Sequence, residues 1–267
     1  MKKLFLFAAV VMAAVSCDRT PSLVILHCND THSHLECGRF GKYAGKGGII
    51  ERAAYVDSVR AAMGENRVLL LHAGDFNQGS SYYTQLKGEL EVNLVNAMRY
   101  DCIALGNHEF DSGIEDLTER VKKMDCPVVC CNLDLRSFEL GDYVKPYVIL
   151  NRGGKKIGIV GAITELGRNV LKSVASRVPA YDLVEKVNEY TEELHAAGCD
   201  MIILLSHLGY KEDCELVPLT HHVDIVVGGH SHTFLDGITW VKDSDSRKVA
   251  IVTDGQYGVQ MGEVKVY

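Results

Sequence analysis

The chain has 267 residues, 47% of them hydrophobic, with 28 basic against 35 acidic side chains and a formal charge of −7. That is apolar material enough for one large core without disulfide staples, and no basic cluster marks a nucleic-acid surface, which speaks against nucleic-acid binding. In chain order, Lys2-Lys3, the uncharged run Leu4–Ser16 and then Cys17 read as a signal peptide over residues 1–16, because the run is too short to span a bilayer as a helix. Its removal takes two lysines and leaves 26 basic against 35 acidic groups in a domain over residues 17–267. Strands are expected at Leu23–Leu26, Val68–Leu71, Cys102–Leu105, Val128–Cys131, Ile157–Ala162, Met201–Leu205, Val223–Val227, Val249–Thr253 and Gly262–Val266. Helical spacing of apolar residues predicts helices over Gly48–Met63, Glu89–Met98, Ile114–Met124 and from Pro179 to a stop at Gly198. Strand and helix alternate, so the fold class is α/β, with helices covering sheet faces.

Five short motifs stand at the ends of apolar runs: Asp30-Thr31-His32, Gly74-Asp75, Gly106-Asn107-His108-Glu109, His207 and Gly229-His230-Ser231-His232. Runs of Val, Ile and Leu followed by Gly or Asn read as strands buried on both faces. In open α/β sheets ligands gather beyond the carboxyl ends of such strands. All the donors are oxygen or imidazole and none is a thiolate, which suits a pair of divalent metals such as Zn, Mn, Fe or Co. Seven ligands, Asp30, His32, Asp75, Asn107, His207, His230 and His232, are about what two ions sharing one carboxylate need.

This ordered set resembles the calcineurin-like metallophosphoesterase superfamily. Cys28 to His34, Gly47 to Arg52, the GNHEFD stretch Gly106–Asp111 and Cys131-Asn132-Leu133 make it similar, more narrowly, to the N-terminal catalytic domain of bacterial 5′-nucleotidases and UDP-sugar hydrolases, over roughly residues 22 to 267. The resemblance implies a four-layer α/β/β/α sandwich with two divalent ions at the strand ends. One ion falls to Asp30, His32, Asp75 and His232, and the other to Asp75, Asn107, His207 and His230, with Asp75 bridging. It also implies catalytic roles for His108, which meets the phosphate, and for Asp111, which orients it. The expected reaction is hydrolysis of a small phosphomonoester, most readily a nucleotide. The alternatives are cyclic nucleotides, nucleotide sugars or sulfur esters, and a metal- or nucleotide-binding lipoprotein active only with a partner. Full-length relatives carry a second domain for substrate specificity, which would here be separately encoded.

The other histidines, His27, His34, His72, His195, His221 and His222, fall outside the pattern and are read as packing, loop or surface residues. Glu109 could be read as a general base, and equally as a residue supporting the local backbone or the ligands. Tyr82 and Tyr83 are the first candidates for any base pocket. Ala14-Val15-Ser16-Cys17 resembles a lipobox, so lipidation of Cys17 is expected, with ordinary cleavage after Ser16 as the alternative. The protein is then exported to the cell envelope and touches the membrane only through its lipid anchor. Eight further cysteines and no CxxC pair predict few or no disulfides.

Overall fold

The computed structural model describes residues 20–267, so the signal segment and Cys17 lie outside the described residues. Twelve strands run β1 (Leu23–Cys28), β2 (Val68–His72), β3 (Cys102–Ala104), β4 (Val128–Val129), β5 (Val144–Lys145), β6 (Tyr147–Arg152), β7 (Lys155–Ile163), β8 (Met201–His207), β9 (Ile225–Val227), β10 (Thr239–Lys242), β11 (Lys248–Val252) and β12 (Gly262–Val266). They form two six-stranded sheets, ordered β12-β1-β2-β3-β4-β5 and β10-β11-β9-β8-β7-β6. Inner pairs such as β1–β2 and β8–β9 are parallel, while β12, β6 and β10 join the sheet edges antiparallel.

Strand alternation sorts the side chains into layers. Leu23 and Ile25 of β1 point between the sheets, where they meet Ile159, Leu205, Val227 and Val252 from the second sheet. Val24, Leu26 and Cys28 point the other way, onto Val56, Val92 and Val95 of the helices Ile49–Met63 and Glu89–Met98. The second sheet is covered in the same manner by Val187 and Leu194 of the helix Leu183–Ala196 and by Leu216 of the helix Tyr210–Leu216. Each fully buried Leu or Ile contributes roughly 1.5–3 kcal/mol of transfer free energy, in the central seam and under the helices alike. The result is a helix–sheet–sheet–helix sandwich.

The expected strands are present, several with shorter bounds. The helix expected from Pro179 begins at Leu183 instead, because Asp182 is the residue able to cap it: its carboxylate accepts the Glu185 N–H at 2.8 Å. The Pro179 carbonyl is engaged elsewhere, by Asp134 N–H at 2.8 Å. All eight cysteines of the described residues are free thiols. Among the described residues no helix is long and apolar enough to cross a membrane.

Candidate metal centre

Parallel strands end at one edge, and the loops leaving β1, β2, β3, β8 and β9 converge there. Close approach of these loops demands glycine. A Cβ on Gly74, whose φ is +85°, would lie 2.7 Å from both Gly106 N and His207 Nδ1. A Cβ on Gly106 would collide with the Asp75 carboxylate. The side chains themselves sit on unusual backbone. Asp30 (φ 48°), His32 (47°), Asp75 (55°), His230 (72°) and His232 (53°) are all left-handed. Non-glycine residues in this region carry strain of order 1–3 kcal/mol each and cluster at functional sites.

Two groups of donors result. Asp30, His32 and His232 form one, with His32 Nε2 and His232 Nε2 2.9 Å apart and His232 Nε2 3.4 Å from Asp30 Oδ1. Asp75, His207 and His230 form the other, with His207 Nε2 3.0 Å from Asp75 Oδ2. Asp75 also groups with His32 and His108, so it stands between the two sets. Asn107 is buried at the same edge.

The hydrogen bonds leave particular atoms free. Asp30 Oδ2 accepts from Asn29 Nδ2 at 2.6 Å and from His230 N–H at 2.9 Å, whereas the buried Oδ1 has no hydrogen-bond partner. Asn107 Oδ1 is likewise buried without one, while His207 Nε2 has only the Asp75 carboxylate before it, at 3.0 Å. His207 Nδ1 is held by the Ala73 carbonyl at 2.6 Å, which aims Nε2 at the carboxylates. Orphaned buried polar atoms are costly, and here they converge with oxygen and imidazole chemistry that fits divalent cations. Although burial opposes it, the facing His207 keeps the Asp75 carboxyl below the usual carboxylate range.

His108 faces this space from the rim, half-buried, its ring edge-on to His32 at 5.2 Å between centroids. Asp111 Oδ2 lies 2.7 Å from His108 Nδ1, and that hydrogen bond raises the imidazole above its ordinary value. All seven expected ligands and the His108–Asp111 pair are thus brought together.

Two residues hold the rest in place. Glu109, fully buried, accepts N–H bonds from Gly106 (2.6 Å), Asp75 (2.8 Å), Phe76 (3.1 Å) and Asn77 (3.3 Å). Burial and then the charge of Asp75 push its carboxyl up to about 7, against the pull of those donors. Sequence reasoning does not single out the second, Asn29. It links Asp30 to the β11 loop, donating to the Gly255 carbonyl at 2.7 Å and accepting Asp254 N–H at 2.9 Å. Its position immediately before Asp30 is the only signal the sequence offers.

His72 and His34 behave as packing residues. His72 is buried against Thr31, and burial, with Arg52 adding, pushes it down to about 3. His34 stacks on Tyr257 at 3.8 Å between centroids. Of the two tyrosines, Tyr83 is removed as a base platform: it is buried and bonded to Ser112 at 2.8 Å. Tyr82 lines a cavity of about 330 Å³ with His34, Glu36 and Arg39, and donates to Glu36 at 2.8 Å.

Comparison with known proteins agrees with this geometry. The family model described as calcineurin-like phosphoesterase matches residues 23–234. The chain is 37% identical over 222 residues to the snake venom 5′-nucleotidase of Naja atra, covering 80% of this chain and 41% of that protein. With the snake venom 5′-nucleotidase of Crotalus adamanteus the identity is 34%, over 97% of this chain and 47% of the relative. The chain therefore spans less than half the length of these two curated relatives. The solved 5′-nucleotidase precursor from Thermus thermophilus superposes with a TM-score of 0.82 at 33% identity, over 91% of this chain and 51% of that one. Metal-site geometry, sheet topology and sequence matches together place this chain in the calcineurin-like phosphoesterase family.

Proposed function

We propose that the chain is the catalytic domain of a dinuclear metal-dependent phosphoesterase that hydrolyses nucleotides in the manner of a 5′-nucleotidase. The observation that carries this is the pair of adjoining donor groups, Asp30, His32 and His232 beside Asp75, His207 and His230, with Asp30 Oδ1 and Asn107 Oδ1 buried and without hydrogen-bond partners. Asp30, His32, Asp75 and His232 would hold one cation, and Asp75, Asn107, His207 and His230 the other. Two divalent ions in such a site supply water activation near neutral pH and neutralise phosphoryl charge.

The chain's own groups do the rest. Asp75 is fixed by His108 N–H on Oδ1 at 2.8 Å, so its two oxygens are directed to different sides. His108, whose imidazole the Asp111 hydrogen bond holds above its ordinary value, would donate from its free ring nitrogen toward the phosphoryl group and, in its protonated form, pass that proton to the leaving alkoxide as the P–O bond breaks. Nucleotides are the favoured class because the two snake venom relatives and the Thermus thermophilus protein compared above are named as 5′-nucleotidases. The signal segment and Cys17 support export and a lipid anchor in the cell envelope.

The test is hydrolysis of p-nitrophenyl phosphate and then AMP by the purified chain with Mn(II) or Zn(II). Turnover of both supports the reading. A metal-loaded protein that cleaves neither, but cleaves a cyclic nucleotide, a nucleotide sugar or a sulfur ester, overturns the substrate assignment.

A further inference from the structure

At the other end of β9 the chain assembles a second set of ligands. His221 and His222 lead into β9, whereas His230 and His232 follow it. His222 Nε2 lies 3.1 Å and His221 Nε2 3.6 Å from the same oxygen, Glu192 Oε2, on the helix Leu183–Ala196. The three ligand atoms fall within 4.8 Å of one another. Neighbouring residues on extended backbone point to opposite sides. His222 breaks that rule with a φ of 64°, which turns its ring toward the carboxylate that His221 also faces. The two rings meet nearly perpendicular, at 84° and 4.8 Å between centroids.

The frame around them is fixed. Asn188, one turn before Glu192 on the same helix, accepts the His221 N–H at 3.2 Å and donates to the Leu219 carbonyl at 3.0 Å. Ser244 N–H and Oγ both donate to the Thr220 carbonyl, at 3.0 and 2.8 Å. His195, one turn further along the helix, stacks flat on His222 at 4.0 Å and 3°. Helix and loop are therefore pinned before any ligand arrives, and the two imidazoles and the carboxylate keep solvent-facing room for water to complete a tetrahedral set.

We infer that Glu192, His221 and His222 form a third cation site, for a borderline divalent ion such as Zn(II), Cu(II) or Ni(II), that ties the helix Leu183–Ala196 to the start of β9. Two imidazoles and one carboxylate select this class over the hard cations Mg(II) and Ca(II). The ion bound there stabilises the fold and takes no part in hydrolysis.

The experiment is elemental zinc counting on the full chain after equilibration with Zn(II) and gel filtration. The double variant His221→Ala/His222→Asn, which keeps a residue tolerant of left-handed backbone at 222, is expected to hold one zinc fewer than wild type. Its activity on p-nitrophenyl phosphate should be unchanged, and the rise in Tm that zinc gives the wild type should shrink. The readout is a difference of one ion, so it does not depend on how many the catalytic set retains. Glu192→Gln, on an exposed helix face, guards against misfolding and is expected to raise the Kd of that one ion about tenfold or more. Equal zinc counts in wild type and double variant, or an unaltered Kd in Glu192→Gln, overturns the site.

Discussion

Glu109 Oε2 accepts the backbone N–H of Asp75 at 2.8 Å, so one buried carboxylate shapes the loop that presents another. The same side chain gathers Gly106, Phe76 and Asn77, all from the loops after β2 and β3. It serves as a template for the turn at Asp75 and stays out of reach of substrate.

Glu109→Gln is accordingly expected to destabilise the fold by about 1–3 kcal/mol, since an amide cannot accept on both sides. It should also weaken divalent-ion binding by roughly 10–100-fold. Thermal melts and zinc titrations check this, and a variant unchanged in both would remove the template role.

The catalytic set should hold two ions per chain that a chelator removes together with activity. Elemental analysis before and after EDTA dialysis gives the answer. Full activity with at most one ion left at the strand ends is incompatible with a bridging Asp75.

His108 and His207 should separate on substitution. His108→Ala lowers kcat by roughly 10²–10⁴ with the metal content of the centre kept. His207→Ala instead empties one position, because its Nε2 is aimed by the Ala73 carbonyl at the carboxylates. Metal loss in the His108 variant would assign that side chain to the wrong task.

Asp213 gives the stability curve a pH dependence. It is fully buried, accepts from Ser206 Oγ at 2.5 Å, and burial pushes its carboxyl up to about 7 from an ordinary 3.8. The folded state therefore binds a proton more tightly than the unfolded chain. Its contribution is complete below about pH 4 and is lost as pH rises through 7. Asp213→Asn removes that loss, so relative to wild type the variant should gain on the order of 1 kcal/mol or more between pH 5 and pH 8. Parallel curves for the two proteins would contradict the assignment.

Cys17 is expected to carry the anchor. Native protein should partition with membranes, and Cys17→Ser should be released, because several acyl chains hold a protein firmly where one holds it marginally. Mass spectrometry finding an unmodified amino terminus at or after Cys17 settles the matter the other way.

The strand ends are readable because runs such as Leu23–Leu26 and Met201–Leu205 are buried on both faces and therefore continuously apolar. The edge strand β12 is readable too, but the edge strands β6 and β10 are not. β6 and β10 are only half-buried, mix polar and apolar residues, and look like loops in one dimension. The seven candidate ligands are legible because each stands at the end of a strand or within a few residues after one. Asn29 escapes notice because its partners, Asp254 and Gly255, are supplied by a loop more than two hundred residues away. Tyr83 misleads for a related reason: proximity to Asp75 in sequence does not reveal that its ring is turned inward.

The left-handed backbone at five of the candidate ligands restricts how this centre can change over evolutionary time. Asp, Asn and His tolerate positive φ better than other ligating side chains. Glutamate in place of Asp75, or glutamine in place of His230, keeps a donor but opposes the backbone that aims it. Substitutions that a chemist would rank as mild are then excluded by conformation before coordination is considered. The alphabet open to drift at these five positions shrinks to a few letters, and a short sequence signature can persist while the sheets behind it diverge.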